Sequence, residues 1–410
     1  MRQFWQSPAL RTAGIYGAAG AGFAAANLIL ARALPSHEYA LVTLVVALVN
    51  IGYALAPLGI DSVVNRLSLE AGPRLLRQTL LATTATGVGL ALVAAVAYRT
   101  STLFTAVVFV STVVGGVTTV AAAQFQSERR FGPSLALVQA PNLVLFLAAL
   151  VTAAVGAPDA RLPLVLMALG WFPLAVWGWR RLFRERHAKS AARADIPWGE
   201  ALSFAGMQAS GLVMVQLERL ILPHVRPPHD LATFGVLGAI AGSLFRVLQM
   251  GVGYSLLPRL RAVDEVGRRR KLVAREARLV GVVVLVGSAA IWIVTPWVER
   301  WLLGGKYHLG AALLIAALVS GMAKVINSFT RAAAAALATP AEVLAINVLG
   351  WLAIGAGVAA GIVGARWGLA GVIYGVTAGW VLRSVATFWF AARHLRTEAR
   401  APATRPAVVP

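Results

Sequence analysis

The chain has 410 residues, 59% of them hydrophobic and 13% charged, with a net charge of +21 and no cysteine. Soluble domains carry about 25% charged residues, so this composition excludes an aqueous enzyme and a soluble nucleic-acid-binding domain, and it points to a membrane protein. Without cysteine there is no disulfide scaffold, thiolate metal site or cysteine nucleophile.

Apolar runs of about 20 residues, enough to cross a hydrocarbon core of about 30 Å as helix, recur along the whole chain. The first, 13–33, follows Met1 to Trp5 without a small-residue cleavage pattern and reads as a retained anchor. Spans follow at 39–60, 79–98, 102–124, 133–155 and 162–179, with Pro57, Pro141 and Pro173 removing backbone donors inside them. Asp61, at the end of the second span, reads as a solvated carboxylate. A basic stretch from Arg180 to Trp198 interrupts the pattern. Six more spans are predicted at 200–222, 231–256, 279–298, 309–330, 341–364 and 368–391.

The chain thus divides into an N-terminal six-helix lobe, 1–180, a basic cytoplasmic linker, 181–199, a C-terminal six-helix lobe, 200–392, and a disordered cytoplasmic tail, 393–410. Placing the N-terminus inside puts 26 of the 37 Lys and Arg on the cytoplasmic side, the positive-inside asymmetry, with both termini cytoplasmic. Most of the positive charge therefore encodes orientation and not a nucleic-acid footprint. Trp5, Trp177, Trp198, Trp297 and Trp367 fall at predicted span ends, where an amphipathic ring is favoured.

The two lobes carry traces of a repeat. Pro35-Ser36-His37-Glu38-Tyr39-Ala40 aligns with Pro227-Pro228-His229-Asp230-Leu231-Ala232 at an offset of 192, which also pairs Gly14 with Gly206, Tyr16 with Gln208 and Asn27 with Arg219. An even number of spans per repeat gives both halves one orientation and an axis along the membrane normal. The expected architecture is an all-α polytopic membrane protein, about twelve transmembrane helices in two pseudo-symmetric six-helix bundles around a central cavity.

Charges inside spans face a bundle interior or a water-filled cavity, because exposure to hydrocarbon costs several kcal/mol. Here they cluster in the second half: Glu218 and Arg219, Arg246, Lys324 and Arg383. Ser320, Lys324, Asn327 and Arg331 are spaced four, three and four apart, one stripe on a helix. Gln208 and Arg219 lie eleven apart, three turns, and Tyr16 and Asn27 repeat that spacing. Arg219, Arg246, Lys324 and Arg383 are candidates for a cationic lining that binds an anion, since guanidinium grips phosphate oxygens bidentately. Arg219 and Arg383 also fit a snorkelling role toward headgroups.

Further short patterns lie in both halves. They are Leu30-Ala31-Arg32-Ala33-Leu34-Pro35 with Glu38-Tyr39-Ala40-Leu41, Pro57-Leu58-Gly59-Ile60 with Arg66, Gln124-Phe125-Gln126-Ser127-Glu128-Arg129-Arg130-Phe131, and Leu217-Glu218-Arg219-Leu220-Ile221-Leu222. On these the whole chain resembles the polysaccharide flippases, the polysaccharide-transporter branch of the multidrug/oligosaccharidyl-lipid/polysaccharide exporter superfamily. That family commonly has Asp-Arg in the last pattern, so Glu218 is a conservative departure. The resemblance implies alternating-access transport of an undecaprenyl-pyrophosphate-linked oligosaccharide repeat unit, from the cytoplasmic to the outer leaflet of the bacterial inner membrane. It assigns phosphates or acidic sugars to Arg219, Arg246, Lys324 and Arg383, and sugar hydroxyls to Tyr16, Asn27, Gln208 and Asn327. Membrane lipids, a polysaccharide polymerase and glycosyltransferases are the partners it implies.

Nothing in the sequence points to catalysis, a cofactor or a metal. There is no phosphate loop for ATP, and the six histidines have no spacing that places two ligands on one helical face. Glu218, the acidic residue set within a span, is the candidate for ion coupling. The alternative is a secondary transporter or exporter of a small solute or drug. A major-facilitator-like carrier is faintly matched by Gly59, Asp61, Arg66, Gly72 and Arg74, and the other form is a multidrug exporter, which usually has more carboxylates in its first lobe.

Overall fold

A computed structural model describes residues 8–67, 69, 71–184, 195–261, 263, 266–337 and 339–397. Its first half contains α1 (Pro8–Ala33), α2 (Ser36–Leu55), the short α3 (Ile60–Leu67), α4 (Pro73–Val96), α5 (Thr102–Ser127), α6 (Phe131–Val155) and α7 (Arg161–Arg184). The second half contains α8 (Trp198–Val225), α9 (Pro228–Arg261), α10 (Val266–Trp297), α11 (Ala311–Leu337), α12 (Pro340–Gly364) and α13 (Gly368–Thr397). A π-helical turn, Val298–Leu302, extends α10, and a 3-10 turn, Ala365–Trp367, joins α12 to α13. No strand occurs among the described residues.

Each predicted span corresponds to one long helix, and the residue chemistry places the ends. Proline, with its fixed φ and missing donor, opens α4 at Pro73 and α12 at Pro340. The hydroxyl of Thr339 and the carboxylate of Glu342 form a reciprocal capping box on α12. Gly156, at φ +67, ends α6 in the left-handed region. Pro141 and Pro173 lie inside α6 and α7 as the sequence predicts. Pro57 does not lie inside a span. α2 stops at Leu55, and Leu58 at φ +49 with Gly59 at φ +83 turns the chain into α3.

Among the described residues, eight helical stretches are long and apolar enough to cross a membrane: α2, α4, α5, α6, α7, α10 with its π-turn, α11, and the run through α12 and α13. Large apolar side chains such as Leu81, Val155, Leu285 and Phe388 are exposed on the outside of the bundle, the outward polarity of a protein whose solvent is hydrocarbon. The chain is a multi-pass membrane protein. The helices alternate in direction, so one end, the basic end, holds the start of α1, the α3 region and the starts of α4, α6, α8, α10 and α12. The turn end holds the connections after α1, α4, α6, α8, α10 and α12.

The chain forms two bundles, α1–α7 and α8–α13. The pairings of α5 with α7, α2 with α5, α6 with α7 and α1 with α6 recur as α11 with α13, α9 with α11, α12 with α13 and α8 with α12. Ser36 and Pro228, which open α2 and α9, stand 192 residues apart, at the spacing of the sequence repeat. The bundles meet where α1 and α2 pack against α9, and α2 against α8. Of the predicted linker, residues 185–194 lie outside the described residues, as do 398–410 of the predicted tail.

Candidate functional site: a cationic cavity between the lobes

A cavity of about 270 Å³ lies where the bundles meet. α8 brings Gln216 and Arg219 to it, three residues apart and so on one face, α9 brings Arg246 and Gln249, and α11 brings Ser320 and Lys324. From the first lobe come Gly20 and Phe23 of α1, Tyr53 of α2, and Gln139 and Asn142 of α6. Thus three of the four cations named from the sequence line one space.

Their surroundings differ. Lys324 donates to Glu218 Oε1 at 2.6 Å, Ser320 donates to the same oxygen at 3.4 Å, and Nζ of Lys324 lies 5.9 Å from the ring centroid of Trp380. Glu218 is 1% exposed, and its other oxygen has no hydrogen-bond partner among the described residues. Arg219 donates to the Gln216 carbonyl oxygen at 2.7 Å and lies over Phe234 at 5.9 Å. Arg246 lies over Phe23 of the opposite lobe at 5.6 Å. Among the described residues no carboxylate forms a salt bridge with Arg219 or Arg246. Of the three cations, Lys324 is thus paired with a carboxylate, and Arg219 and Arg246 rest on amide and aromatic contacts that a stronger acceptor can replace.

The other sequence candidates lie elsewhere. Arg383 is buried within the second bundle, where it donates to the backbone oxygen and the hydroxyl of Ser210, each at 3.2 Å. Asn27 is buried, donates to Phe23 O at 2.8 Å and accepts from the Tyr39 hydroxyl at 3.3 Å. Gln208 donates to Ser62 at 2.9 Å, joining α8 to α3 at the basic end. Asn327 is buried on α11 and is not among the residues lining the cavity. The Tyr16 side chain lies outside the described residues. Asp61 is not a freely solvated carboxylate: one of its oxygens is buried without a partner, and burial pushes its carboxyl above the usual carboxylate range. The sequence reading missed Gln139 and Asn142, which bond to each other at 3.1 Å. Their signal was a polar pair three residues apart inside an apolar span.

The turn end is closed above this cavity. Arg32 of α1 donates to the carbonyls of Trp301 and Leu302, each at 3.2 Å, where α10 and its π-turn end. Lys306 donates to Ala31 O at 2.9 Å and to Leu34 O, where α1 ends. The fully buried Tyr307 packs edge-on to Tyr39 and stacks on His229. Tyr98 donates to Leu220 O at 3.1 Å. Burial lowers the Lys306 pKa below the usual lysine range and raises that of Tyr307.

No protein-family model matches the chain, and no curated protein matches it. Solved structures do. A multidrug resistance MATE family transporter of the MOP superfamily in an inward-facing conformation superimposes with a TM-score of 0.67 at 11% identity, covering 94% of this chain and 96% of that one. The outward-facing conformation of such a transporter gives 0.52 at 15% identity, with 96% and 97% covered. A MATE in the straight conformation gives 0.56 at 15% identity, with 96% of each chain covered. At these identities the likeness is one of fold.

Proposed function

We propose that the chain is an alternating-access flippase, and not an enzyme, that moves a lipid-pyrophosphate-linked oligosaccharide repeat unit from the cytoplasmic to the outer leaflet of the bacterial inner membrane for surface polysaccharide biosynthesis. The observation that carries this reading is the cavity between the lobes, lined by Arg219, Arg246 and Lys324, of which Lys324 is paired with Glu218. In this reading the pyrophosphate of an undecaprenyl carrier displaces the amide and aromatic contacts of Arg219 and Arg246. The oligosaccharide extends past Gln139 and Asn142, and the polyprenyl tail stays in the bilayer. Lys324 is held by Glu218 until substrate or a proton competes for the pair, which makes Glu218 the coupling residue. Asn27, Gln208, Asn327 and Arg383 set helix packing instead of touching substrate. Rocking of the two bundles about their interface then exchanges the closed turn end for a closed basic end. Glycosyltransferases supply the substrate and a polymerase consumes it.

The test is deletion in the source strain. Lipid-linked repeat units trapped on the cytoplasmic leaflet and restored by the wild-type chain support the reading. Normal surface polysaccharide in that strain, with no redundant carrier, overturns it.

A second reading, export of a small anionic solute, is favoured by the cavity volume of about 270 Å³. Ligand pockets run from about 300 to 1,000 Å³, and a whole oligosaccharide needs the upper part of that range. The multidrug assignment of the structural neighbours points the same way. Raised susceptibility to small anionic compounds in the deletion strain, with unchanged polysaccharide, would select it.

A further inference from the structure

The two bundles share a plan but differ at one contact. In the first, α4 packs along α5, with Gly87 facing Val113 and Phe109. The equivalent helix in the second, α10, packs mainly on α9 and only slightly on α11 and α13, and Gly281 of α10 faces open space. The result is a crevice of about 680 Å³ between α10 and the α11/α13 pair.

Its walls are apolar, formed by side chains such as Val273, Val280 and Val284 of α10, Phe329 of α11 and Phe388 of α13. The hydroxyl of Thr330, which also lines it, is engaged with Thr387 at 2.7 Å. Leu285 and Phe388 at its rim are 67% and 60% exposed, so it opens toward the bilayer. Arg270 is the charged residue among those lining it, and it stands at the basic end. The spacing of 270, 273, 277, 280 and 284 puts that guanidinium on the same helical stripe as the apolar wall. No carboxylate pairs with Arg270 among the described residues, and Lys271, Arg275 and Arg278 on the same helix are exposed.

We infer that this crevice holds the hydrocarbon chains of one anionic phospholipid, with its headgroup phosphate on Arg270. The shape and polarity require an apolar body with a single anionic end, and the opening admits it from the membrane. A zwitterionic lipid satisfies the walls but gains less from the cluster of cations around the mouth. The tail of a substrate bound in the central cavity is not the favoured occupant, because α11 separates the two spaces. Ser320 and Lys324 face the cavity, whereas Met322, Val325 and Phe329 face the crevice. The lipid would wedge α10 apart from α11, in place of the direct contact that α4 makes with α5. This inference stands independently of the transported substrate.

The test is native mass spectrometry of the full chain, titrated separately with dioleoyl phosphatidylglycerol, dioleoyl phosphatidylcholine and undecaprenyl phosphate. One phosphatidylglycerol is expected to bind about fivefold more tightly than phosphatidylcholine, the preference one cation gives near an anionic headgroup. R270A should weaken phosphatidylglycerol binding and reduce that preference, and R270K should keep both. Gly281→Trp, which fills the crevice, should abolish tight binding of both phospholipids. Because that variant risks misfolding, the charge-dependent result with R270A and R270K decides the matter by itself. Equal binding of the two phospholipids to the wild type, or an unchanged preference in R270A, overturns the inference. So does displacement of phosphatidylglycerol by undecaprenyl phosphate at equal concentration, which would make the crevice a substrate-tail site.

Discussion

Arg32 and Lys306 close each other's lobes: Arg32 caps the carbonyl end of α10 and its π-turn in the second bundle, and Lys306 caps the carbonyl end of α1 in the first. Helix C-termini carry unpaired carbonyls and partial negative charge, so each cation satisfies a need in the opposite lobe. Both capping contacts join one lobe to the other at the turn end.

Removing one cap should therefore favour opening at the turn end. A cysteine-free chain allows this to be read with a single introduced thiol, for example A241C at the buried cavity wall. In the Lys306→Ala background, labelling by an impermeant maleimide applied from the turn-end side should rise about fivefold, the equivalent of roughly 1 kcal/mol for a net hydrogen bond. Unchanged labelling in both Lys306→Ala and Arg32→Ala would show that the caps do not hold the closed state.

The buried pair of Glu218 and Lys324 should respond asymmetrically. Lys324→Ala leaves a carboxylate that is 1% exposed without its counter-charge, a defect of about 3–5 kcal/mol. Glu218→Gln leaves an ammonium that faces the cavity and retains more stability. Thermal unfolding in detergent should rank wild type above Glu218→Gln, with Lys324→Ala lowest. If Glu218 couples transport, the wild-type rate should follow an imposed pH gradient and the Glu218→Gln rate should not. Identical gradient dependence in the two proteins removes Glu218 from coupling.

Arginines inside and outside the cavity should separate by what they impair. On the proposed reading, Arg219→Ala and Arg246→Ala should each cost about 1.5–3 kcal/mol of binding to an anion, a loss of roughly tenfold or more in transport, with little change in melting temperature. Arg383→Ala should do the reverse. Its buried guanidinium ties α13 to Ser210 of α8, so stability falls while transport per folded molecule persists. Equal effects of all three on transport at matched stability would return Arg383 to the binding site.

Gly59→Ala should destabilise the basic end. Gly59 has φ +83, and a β-carbon there would collide with the backbone carbonyl of Ala201 in α8. Left-handed strain in a non-glycine residue alone is worth about 1 kcal/mol or more. Lower thermal stability is expected, with proteolysis near α3 accelerated. A Gly89→Ala control, whose β-carbon meets nothing within 4 Å, should leave stability unchanged.

Twelve long helices, their alternation and the repeat at 192 residues were all legible in the linear sequence. The bilayer reads hydrophobicity and charge one residue at a time, so span length and basic bias can be counted along the chain. What each polar residue meets was not legible. Gln208 and Arg219 share a helical face, yet eleven residues separate them by about 16 Å along the axis. One therefore reaches Ser62 at the basic end and the other the cavity. Ser320, Lys324 and Asn327 form one stripe in sequence, but the partners across from them divide it: Glu218 of α8 meets the first two, and Asn327 is buried outside the cavity lining. Periodicity defines a helix's own face, whereas contact depends on the rotation, height and neighbours that packing of the whole bundle imposes. For this reason the sequence by itself determined a two-lobed helical membrane protein with cations inside its spans. Only the tertiary structure decided that Arg219, Arg246 and Lys324 share a space while Arg383 does not.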